Sequence, residues 1–203
     1  MKNHWMLAAA LAVALIPSGF AYAKVAVGDP APAISVTDAS GKAVNLADYQ
    51  GKYVVLEWVN PACPFVQKHY DSGNMESTQA KAMESGAVWL AIQTTGEDAA
   101  KTAESLQSWQ KSKNSAPTAT LVDDGSIGRA YGARTTPHMY IVDPEGKLVY
   151  IGAIDSVPSA DADDIAGATN YVTQGLSEAM AGQPISQPTT QPYGCSVKYP
   201  AGA

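Results

Sequence analysis

Cys63 lies in a segment whose residue types favour thiol chemistry. It belongs to Asn60-Pro-Ala-Cys-Pro-Phe-Val66, at the point where an apolar run gives way to a predicted helix beginning at Pro64. A cysteine at a helix N-terminus lies near unpaired backbone N–H groups and the positive end of the helix dipole, and both stabilise the nucleophilic thiolate. Pro64 suits the first helical position, where no backbone N–H is needed. The sequence therefore favours a reactive Cys63 over a buried and inert cysteine.

The bond between Thr136 and Pro137 is a second feature that could belong to a site. The two residues come directly before a predicted apolar strand. A trans bond is the ordinary case before proline, whereas a cis X-Pro bond is uncommon and is usually tied to a site. The sequence leaves the isomer open.

Composition narrows the classes of function. The chain has 203 residues, 46% of them hydrophobic, and 13 basic against 19 acidic residues give a net charge of −6. This balance disfavours an electrostatic binder of nucleic acid or of an anionic membrane. The two cysteines exclude both a four-cysteine zinc cluster and a disulfide-dense small domain. A single globular domain with its own apolar core is the expected class.

Residues 1–23 have the pattern of a cleaved secretory signal. Lys2 gives a positive start, an apolar run of eleven residues follows from Met6 to Ile16, and Ala21-Tyr-Ala23 offers a cleavage site. The alternative, a retained membrane anchor, needs about 20 apolar residues. The prediction is therefore an exported protein, periplasmic or secreted, in a compartment where disulfides persist.

After the signal, the chain alternates apolar strands with helices. Strands are predicted over residues 33–37, 44–46, 52–59, 87–93, 118–122, 139–142 and 147–151. Helices are predicted over residues 64–70, 75–83, 97–111 and 127–131, with a last helix over 165–180. This alternation is typical of a mostly parallel sheet covered on both faces, and the final hairpin adds an antiparallel edge. We predict one domain over 24–182 and an extended, proline-rich tail over 183–203 that carries Cys195.

Several motifs in this order resemble the redoxin branch of the thioredoxin superfamily. They are Val27-Gly-Asp-Pro-Ala-Pro32, Asp48-Tyr-Gln-Gly-Lys52, Asn60-Pro-Ala-Cys63 and Thr136-Pro137, and the resemblance runs from about residue 25 to 151. That branch includes peroxiredoxins and exported thiol–disulfide oxidoreductases. It implies an α/β, thioredoxin-like fold: a central mixed sheet flanked by helices, with an N-terminal β-hairpin extension and a C-terminal helix plus tail. Together with Gly194-Cys-Ser-Val-Lys198, the Cys63 segment resembles the peroxiredoxin-like group.

The sequence departs from both standard activities of this superfamily. Val66 stands where thioredoxin-like oxidoreductases carry the second cysteine of Cys-x-x-Cys. Leu56 and Asn60 stand where peroxiredoxins carry a proline and a threonine before the attacking cysteine. Dithiol exchange within one helical turn is therefore impossible.

Cys195 is the remaining thiol, and three roles are open to it. A flexible tail could bring it to a sulfenic acid or a mixed disulfide on Cys63, which would make it the resolving cysteine. It could instead form a permanent disulfide that pins the tail, worth about 4 kcal/mol in the chain-entropy model. It could also pair with another molecule.

These observations predict a thiol-based oxidoreductase, by thiol–disulfide exchange or as a peroxiredoxin-like antioxidant, that uses Cys63 as attacking thiolate and Cys195 as resolving thiol. Asn60, Pro64, Thr136 and Pro137 are expected to position the substrate. The expected substrates are exported protein disulfides or hydroperoxides, with an unidentified thiol reductant and with no cofactor, nucleic acid or membrane span after signal cleavage.

The alternative is a non-catalytic redoxin-fold binding module, or a copper-handling protein, in which Cys195 sits in a structural disulfide. In the latter case Cys63, His138 and Met139 would offer soft and borderline ligands.

Overall fold

A five-stranded mixed sheet forms the centre of the protein. The computed structural model describes residues 25–201, so the predicted signal at 1–23 lies outside the described residues. The spatial order of the sheet is β5-β4-β3-β7-β8; β3, β4 and β5 are parallel, and β7 and β8 are antiparallel to their neighbours. The strands are β1 (Ser35–Thr37), β2 (Ala43–Asn45), β3 (Val54–Trp58), β4 (Val88–Thr94), β5 (Ala119–Asp123), β6 (Thr135–Thr136), β7 (His138–Val142), β8 (Leu148–Gly152) and β9 (Cys195–Ser196).

Both faces of the sheet are covered, which is why the central strands are continuous apolar runs. The helices are α1 (Pro64–Asp71), α2 (Asn74–Glu84), α3 (Ala99–Ser112), α4 (Ser126–Tyr131) and α5 (Tyr171–Met180). One core cluster joins the sheet to α1, α2, α3 and α5 through residues such as Val66, Met75, Leu106 and Val172. The other joins it to the β1–β2 hairpin and α4. The predicted fold class is confirmed. None of the helices described is long and apolar enough to cross a membrane.

The predicted helix over 165–180 is wrong as a single element. A 3-10 helix covers Ala162–Gly167, the backbone is extended at Ala168, and α5 begins at Tyr171. Two causes produce the break. Asn170 caps α5, because its side chain accepts hydrogen bonds from the backbone N–H groups of the second and third helical residues. Asn170 also forms a β-bridge with Asp155, so the chain before α5 is held extended.

Residues 183–201 are extended, and they pack along the domain. Thr190 N–H donates to the Ile151 carbonyl (3.1 Å), and Ile151 N–H donates to the Pro188 carbonyl (3.1 Å). Further on, β9 pairs antiparallel with β6. Val197 is buried in the core cluster on the hairpin side of the sheet. The segment that carries Cys195 therefore lies across the sheet end where Cys63 is found.

Candidate active site

Cys63 occupies the junction between the central strand and the first helix. It is the N-cap of α1 with extended backbone angles (φ −84°, ψ 121°), and Pro64 takes the first helical position. The loop between β3 and α1 is shaped by Asn60, whose side-chain oxygen accepts from Ala62 N–H (2.9 Å) and whose carbonyl accepts from Cys63 N–H (3.0 Å). The side chain of Asn60 is thus used inside the loop, and its role toward substrate stays a prediction.

The tail brings Cys195 to Cys63. Thr136 of β6 is the register partner of Cys195 in β9. The backbone N–H of Cys195 donates to Cys63 Sγ (3.4 Å), and the Cys63 thiol donates to the Thr136 carbonyl (3.0 Å). Both cysteines are free thiols in the structure, Cys63 buried and Cys195 partly buried. Two cysteines separated by 132 positions in the chain therefore form one site.

Gly194 makes this approach possible. Its φ of +122° is unfavourable for residues with a side chain, and a Cβ placed on it would lie 2.1 Å from the Thr136 carbonyl oxygen. Any other residue here would force β9 away from β6. The glycine before Cys195 is therefore required by the close passage of the tail.

The two thiols are tuned in opposite directions. Burial alone would raise the pKa of Cys63, but hydrogen bonds from the Cys195 and Thr136 side chains and from backbone N–H groups outweigh it, so its pKa is lowered. Burial, a hydrogen bond with Cys63 and the negative charge of the Cys63 thiolate raise the pKa of Cys195 to about 11. Cys63 is thus the thiol that ionises first, and Cys195 keeps its proton.

Thr136 and Pro137 also meet the cysteines. The Thr136–Pro137 bond is cis, which settles the isomer that the sequence left open. The Thr136 hydroxyl donates to the Cys195 carbonyl (3.5 Å), and its own carbonyl accepts from Cys63. Of the predicted positioning residues, Pro64, Thr136 and Pro137 therefore lie at the thiol pair.

His138 points to a different set of partners. Its Nδ1 accepts from Arg134 N–H (3.2 Å) and faces the Tyr140 hydroxyl (3.1 Å). Burial, aided by the charge of Arg134, lowers the pKa of His138 to about 3, so the ring is neutral. Within residues 25–201, no group of three or more His, Cys, Asp or Glu side chains could hold a metal ion. The copper alternative was built on Cys63, His138 and Met139, and in the structure His138 Nδ1 is already engaged by Arg134 and Tyr140.

A groove of about 410 Å³ lies beside the loop that precedes Cys63. The loop residues Asn60, Pro61 and Ala62 form one wall, and α3 forms the other. Lys101 of α3 and Lys198 of the tail line the groove with two positive charges, and Glu97 adds one negative charge. The groove therefore adjoins the loop that leads to Cys63.

Sequence analysis missed a buried carboxyl in the central strand. Glu57 of β3 is fully buried and accepts hydrogen bonds from the Tyr70 hydroxyl (2.8 Å), Trp89 Nε1 (2.8 Å) and Gln79 Nε2 (3.2 Å). Burial raises the pKa of Glu57 to about 7 although these hydrogen bonds lower it. The signal was available, because Glu57 is the one acidic residue in the apolar run over 52–59.

A second buried polar cluster was also missed. Lys68 and His69 of α1 meet Asp155, which follows β8, and Tyr193 of the tail. No local sequence pattern links these residues, since Tyr193 and Asp155 are 38 positions apart.

Known proteins resemble this chain in both sequence and fold. A protein-family comparison matches residues 27–151 to the AhpC/TSA family. Two proteins named thiol-disulfide oxidoreductase ResA, from Bacillus thuringiensis subsp. konkukian (strain 97-27) and Bacillus cereus (strain ATCC 10987 / NRS 248), are each 27% identical to this chain over 126 residues. In each case the match covers 62% of this chain and 69% of the relative.

Solved structures extend the likeness beyond residue 151. An uncharacterized conserved protein from Geobacillus kaustophilus has a TM-score of 0.70 at 24% identity, covering 88% of this chain and 94% of its own. A hypothetical protein from Sinorhizobium meliloti 1021 has a TM-score of 0.72 at 21% identity, and the match covers 89% of this chain and 98% of that protein. The thioredoxin domain of a thiol-disulfide oxidoreductase from Bacteroides vulgatus has a TM-score of 0.53 at 23% identity, and the match covers 71% of this chain and 97% of that domain. The redoxin resemblance is confirmed, and the chain belongs to the AhpC/TSA family with a thioredoxin-like fold.

Proposed function

We propose that this protein is a thiol–disulfide oxidoreductase in which Cys63 is the attacking thiolate and Cys195 the resolving thiol. One observation carries the proposal: the Cys195 N–H lies 3.4 Å from Cys63 Sγ, in a pair whose pKa values are shifted apart. A nucleophile that ionises early and a partner thiol that stays protonated are the two components that two-step exchange needs. The two Bacillus relatives are named thiol-disulfide oxidoreductases, which is the same chemistry.

The reaction has two balanced steps. The Cys63 thiolate attacks one sulfur of a substrate disulfide R–S–S–R′, forms the mixed disulfide Cys63–S–S–R, and releases R′–S⁻, which takes up a proton. Cys195 then loses its proton and attacks Cys63 Sγ, which releases R–S⁻ and forms the Cys63–Cys195 disulfide. The substrate gains two electrons, and an external dithiol restores the pair by the reverse exchange.

The first step prepares the second. Two of the three causes that raise the pKa of Cys195 come from Cys63: its hydrogen bond and its negative charge. Once Cys63 is part of a mixed disulfide, its sulfur carries no charge, so both causes weaken. The pKa of Cys195 then falls from about 11, and its thiolate forms when it is needed.

The substrate must gain access to a buried sulfur. Cys63 is only 1% exposed, and β9 lies directly over it. We infer that the tail shifts when substrate arrives and that the groove beside Asn60 receives the substrate chain. Thr136, Pro137 and Pro64 keep the attacking sulfur at the start of α1, while Asn60 holds the shape of the loop.

Hydroperoxide is the second candidate substrate, because the chain belongs to the AhpC/TSA family. The Cys63 thiolate would take the terminal OH of ROOH to give Cys63–SOH and release RO⁻, which takes up a proton to become ROH; the Cys195 thiol would then condense with Cys63–SOH to give the disulfide and water. Leu56 and Asn60 replace the residues that the resemblance leads us to expect around a peroxide-reducing cysteine. Disulfide exchange is therefore the favoured reaction.

The compartment follows from the same chemistry. We propose export by the signal over residues 1–23 and action in the periplasm or outside the cell, where protein disulfides are available as substrates. The reductant that recycles the pair would be another thiol protein.

Trapping on Cys63 tests this proposal. In Cys195→Ser, glutathione disulfide should leave a stable mixed disulfide on Cys63, whereas the wild type should pass on to the Cys63–Cys195 bridge. Mass spectrometry after acid quench distinguishes the products, and Cys63→Ser is the control. A parallel reaction with hydrogen peroxide and a sulfenic-acid trap measures the competing activity. Faster capture of peroxide than of disulfide would favour the antioxidant role, and an unreactive Cys63 would favour a binding module.

A further inference from the structure

We propose that Tyr193 is a positioning residue that holds Cys195 within reach of Cys63, and that the buried cluster of Lys68, His69 and Asp155 is its anchor. The inference rests on the proposed function and adds to it a residue that positions the resolving thiol. The resolving step requires a thiol on a tail to meet a sulfur on the domain. The anchoring of Tyr193 would set the effective concentration of the Cys195 thiol at Cys63 Sγ.

Tyr193 ties the tail to the helix that Cys63 begins. Its ring lies edge-on to Phe65 of α1, with the centroids 5.9 Å apart. Its hydroxyl donates to Asp155 Oδ1 and lies 3.3 Å from His69 Nε2. Lys68 Nζ lies 5.9 Å from the centre of the same ring. The ring and the hydroxyl of Tyr193 thus both fix the tail, one residue before Gly194 and two before Cys195.

A directed chain of hydrogen bonds runs through the anchor. Asn74 Nδ2 donates to His69 Nδ1 (2.8 Å), so the proton of this ring is assigned to Nε2, which faces the Tyr193 oxygen. Tyr193 in turn donates to Asp155. Burial lowers the pKa of His69 to about 4, with Lys68 adding to this and Asp155 opposing it, so His69 is a neutral donor at neutral pH. Every donor in the chain therefore has an acceptor.

The anchor contains charges that a merely stable core would avoid. Lys68 and Asp155 are both 3% exposed, and Lys68 Nζ lies 3.6 Å from Asp155 Oδ2 and 3.3 Å from the Val157 carbonyl. Within the described chain, Asp155 Oδ2 has no hydrogen-bond donor in range. Buried ion pairs are costly to form, and their best attested use is to select one arrangement over others. Here the arrangement selected is the one that places Tyr193.

The tail is held again on the other side of Cys195. The Tyr199 hydroxyl donates to the Ala133 carbonyl (2.7 Å), and Arg129 lies over the Tyr199 ring at 4.6 Å. On the N-terminal side, the next hold before Tyr193 is Thr190, at β8. Without Tyr193, the chain between Thr190 and the β6–β9 pairing would lose its hold on α1, and a longer free span would lead directly into Cys195, the first residue of β9. A longer, less ordered span lowers the effective concentration of one thiol at the other.

The experiment measures that effective concentration directly. Wild type, Tyr193→Phe and Tyr193→Ala are equilibrated over a range of reduced and oxidised glutathione, quenched in acid and analysed by mass spectrometry for the intramolecular bridge. Tyr193→Phe keeps the ring but removes the hydroxyl, with its bond to the buried Asp155 carboxylate and its contact with His69 Nε2, and we expect the effective concentration to fall about tenfold. Tyr193→Ala also removes the Phe65 contact, and we expect a larger fall.

Tyr53→Phe is the matched control. It also deletes one tyrosine hydroxyl bond, to the Ala179 carbonyl (3.0 Å) in the last turn of α5, and it touches none of the groups that hold Tyr193. It should leave the effective concentration unchanged even if thermal melts show equal destabilisation. An effective concentration in Tyr193→Phe equal to wild type would overturn the positioning role. Failure of the wild type to form any Cys63–Cys195 bridge would instead refute the proposed function, so the two outcomes are distinct.

Discussion

Replacing Glu57 by glutamine should remove a pH dependence from the stability of the fold. The pKa of this buried carboxyl is raised from 4.5 to about 7 in the folded protein, chiefly by burial. The folded state thus keeps a proton that the unfolded chain releases between these two values. Because stability is lost as pH rises through this window, and each pH unit is worth about 1.4 kcal/mol, the ionised carboxylate costs the fold about 3 kcal/mol above pH 7.

Glutamine can replace the protonated acid without opening a cavity. Its amide oxygen can accept from Trp89 and Gln79, and its amide nitrogen can donate to the Tyr70 oxygen. The stability difference between the variant and wild type should therefore grow from pH 4.5 to about pH 7, reach about 3 kcal/mol, and level off above that pH.

Urea unfolding followed by tryptophan fluorescence, with reductant present at each pH, measures the two stability curves. Glu104→Gln on the exposed face of α3 controls for loss of a carboxyl elsewhere. A difference between Glu57→Gln and wild type that stays constant with pH would refute the reasoning, since it would mean that Glu57 titrates alike in the folded and unfolded chains.

Two further variants probe the thiol pair itself. In Cys195→Ala, Cys63 loses the side-chain hydrogen bond that most lowers its pKa, so the midpoint of its alkylation rate against pH should rise. Cys195→Ser keeps a hydrogen-bond donor and should shift this midpoint less. An unchanged midpoint in both variants would contradict this account. In Gly194→Ala, backbone strain of about 1–3 kcal/mol and the clash with Thr136 should lift β9 and speed Cys63 alkylation at least about tenfold. Gly41→Ala, with φ +88° and open space around it, should leave that rate unchanged.

The elements that build the sheet were predictable because their signals are local. The runs over 52–59 and 87–93 are apolar and β-branched; the structure places β3 within the first, and β4 covers the second from Val88 and ends one residue beyond it. The start of α1 at Pro64 was predicted to the residue because proline suits only the first turn. Cys63 could be chosen for the same reason, since its position between strand and helix is readable from neighbouring residues.

What escaped prediction depends on contacts between distant segments. The two-residue strand β9 has no periodicity of its own and exists because β6 offers it a partner. The break before α5 depends on pairing of Asn170 with Asp155, which helical spacing does not reveal. Tyr193 looked like one more residue of an aperiodic tail, and only the folded chain brings it to the buried charges on α1 and beyond β8.

The most direct test of the central claim is the state of the two cysteines in the purified protein before and after mild reduction. The protein is alkylated at several pH values, digested, and mapped by mass spectrometry at Cys63 and Cys195. We predict a Cys63–Cys195 bridge that opens readily, after which Cys63 alkylates fast well below the free-thiol pKa of about 8.5 while Cys195 stays slow. A bridge that resists reduction, or a freed Cys63 no faster than Cys195, would contradict the account.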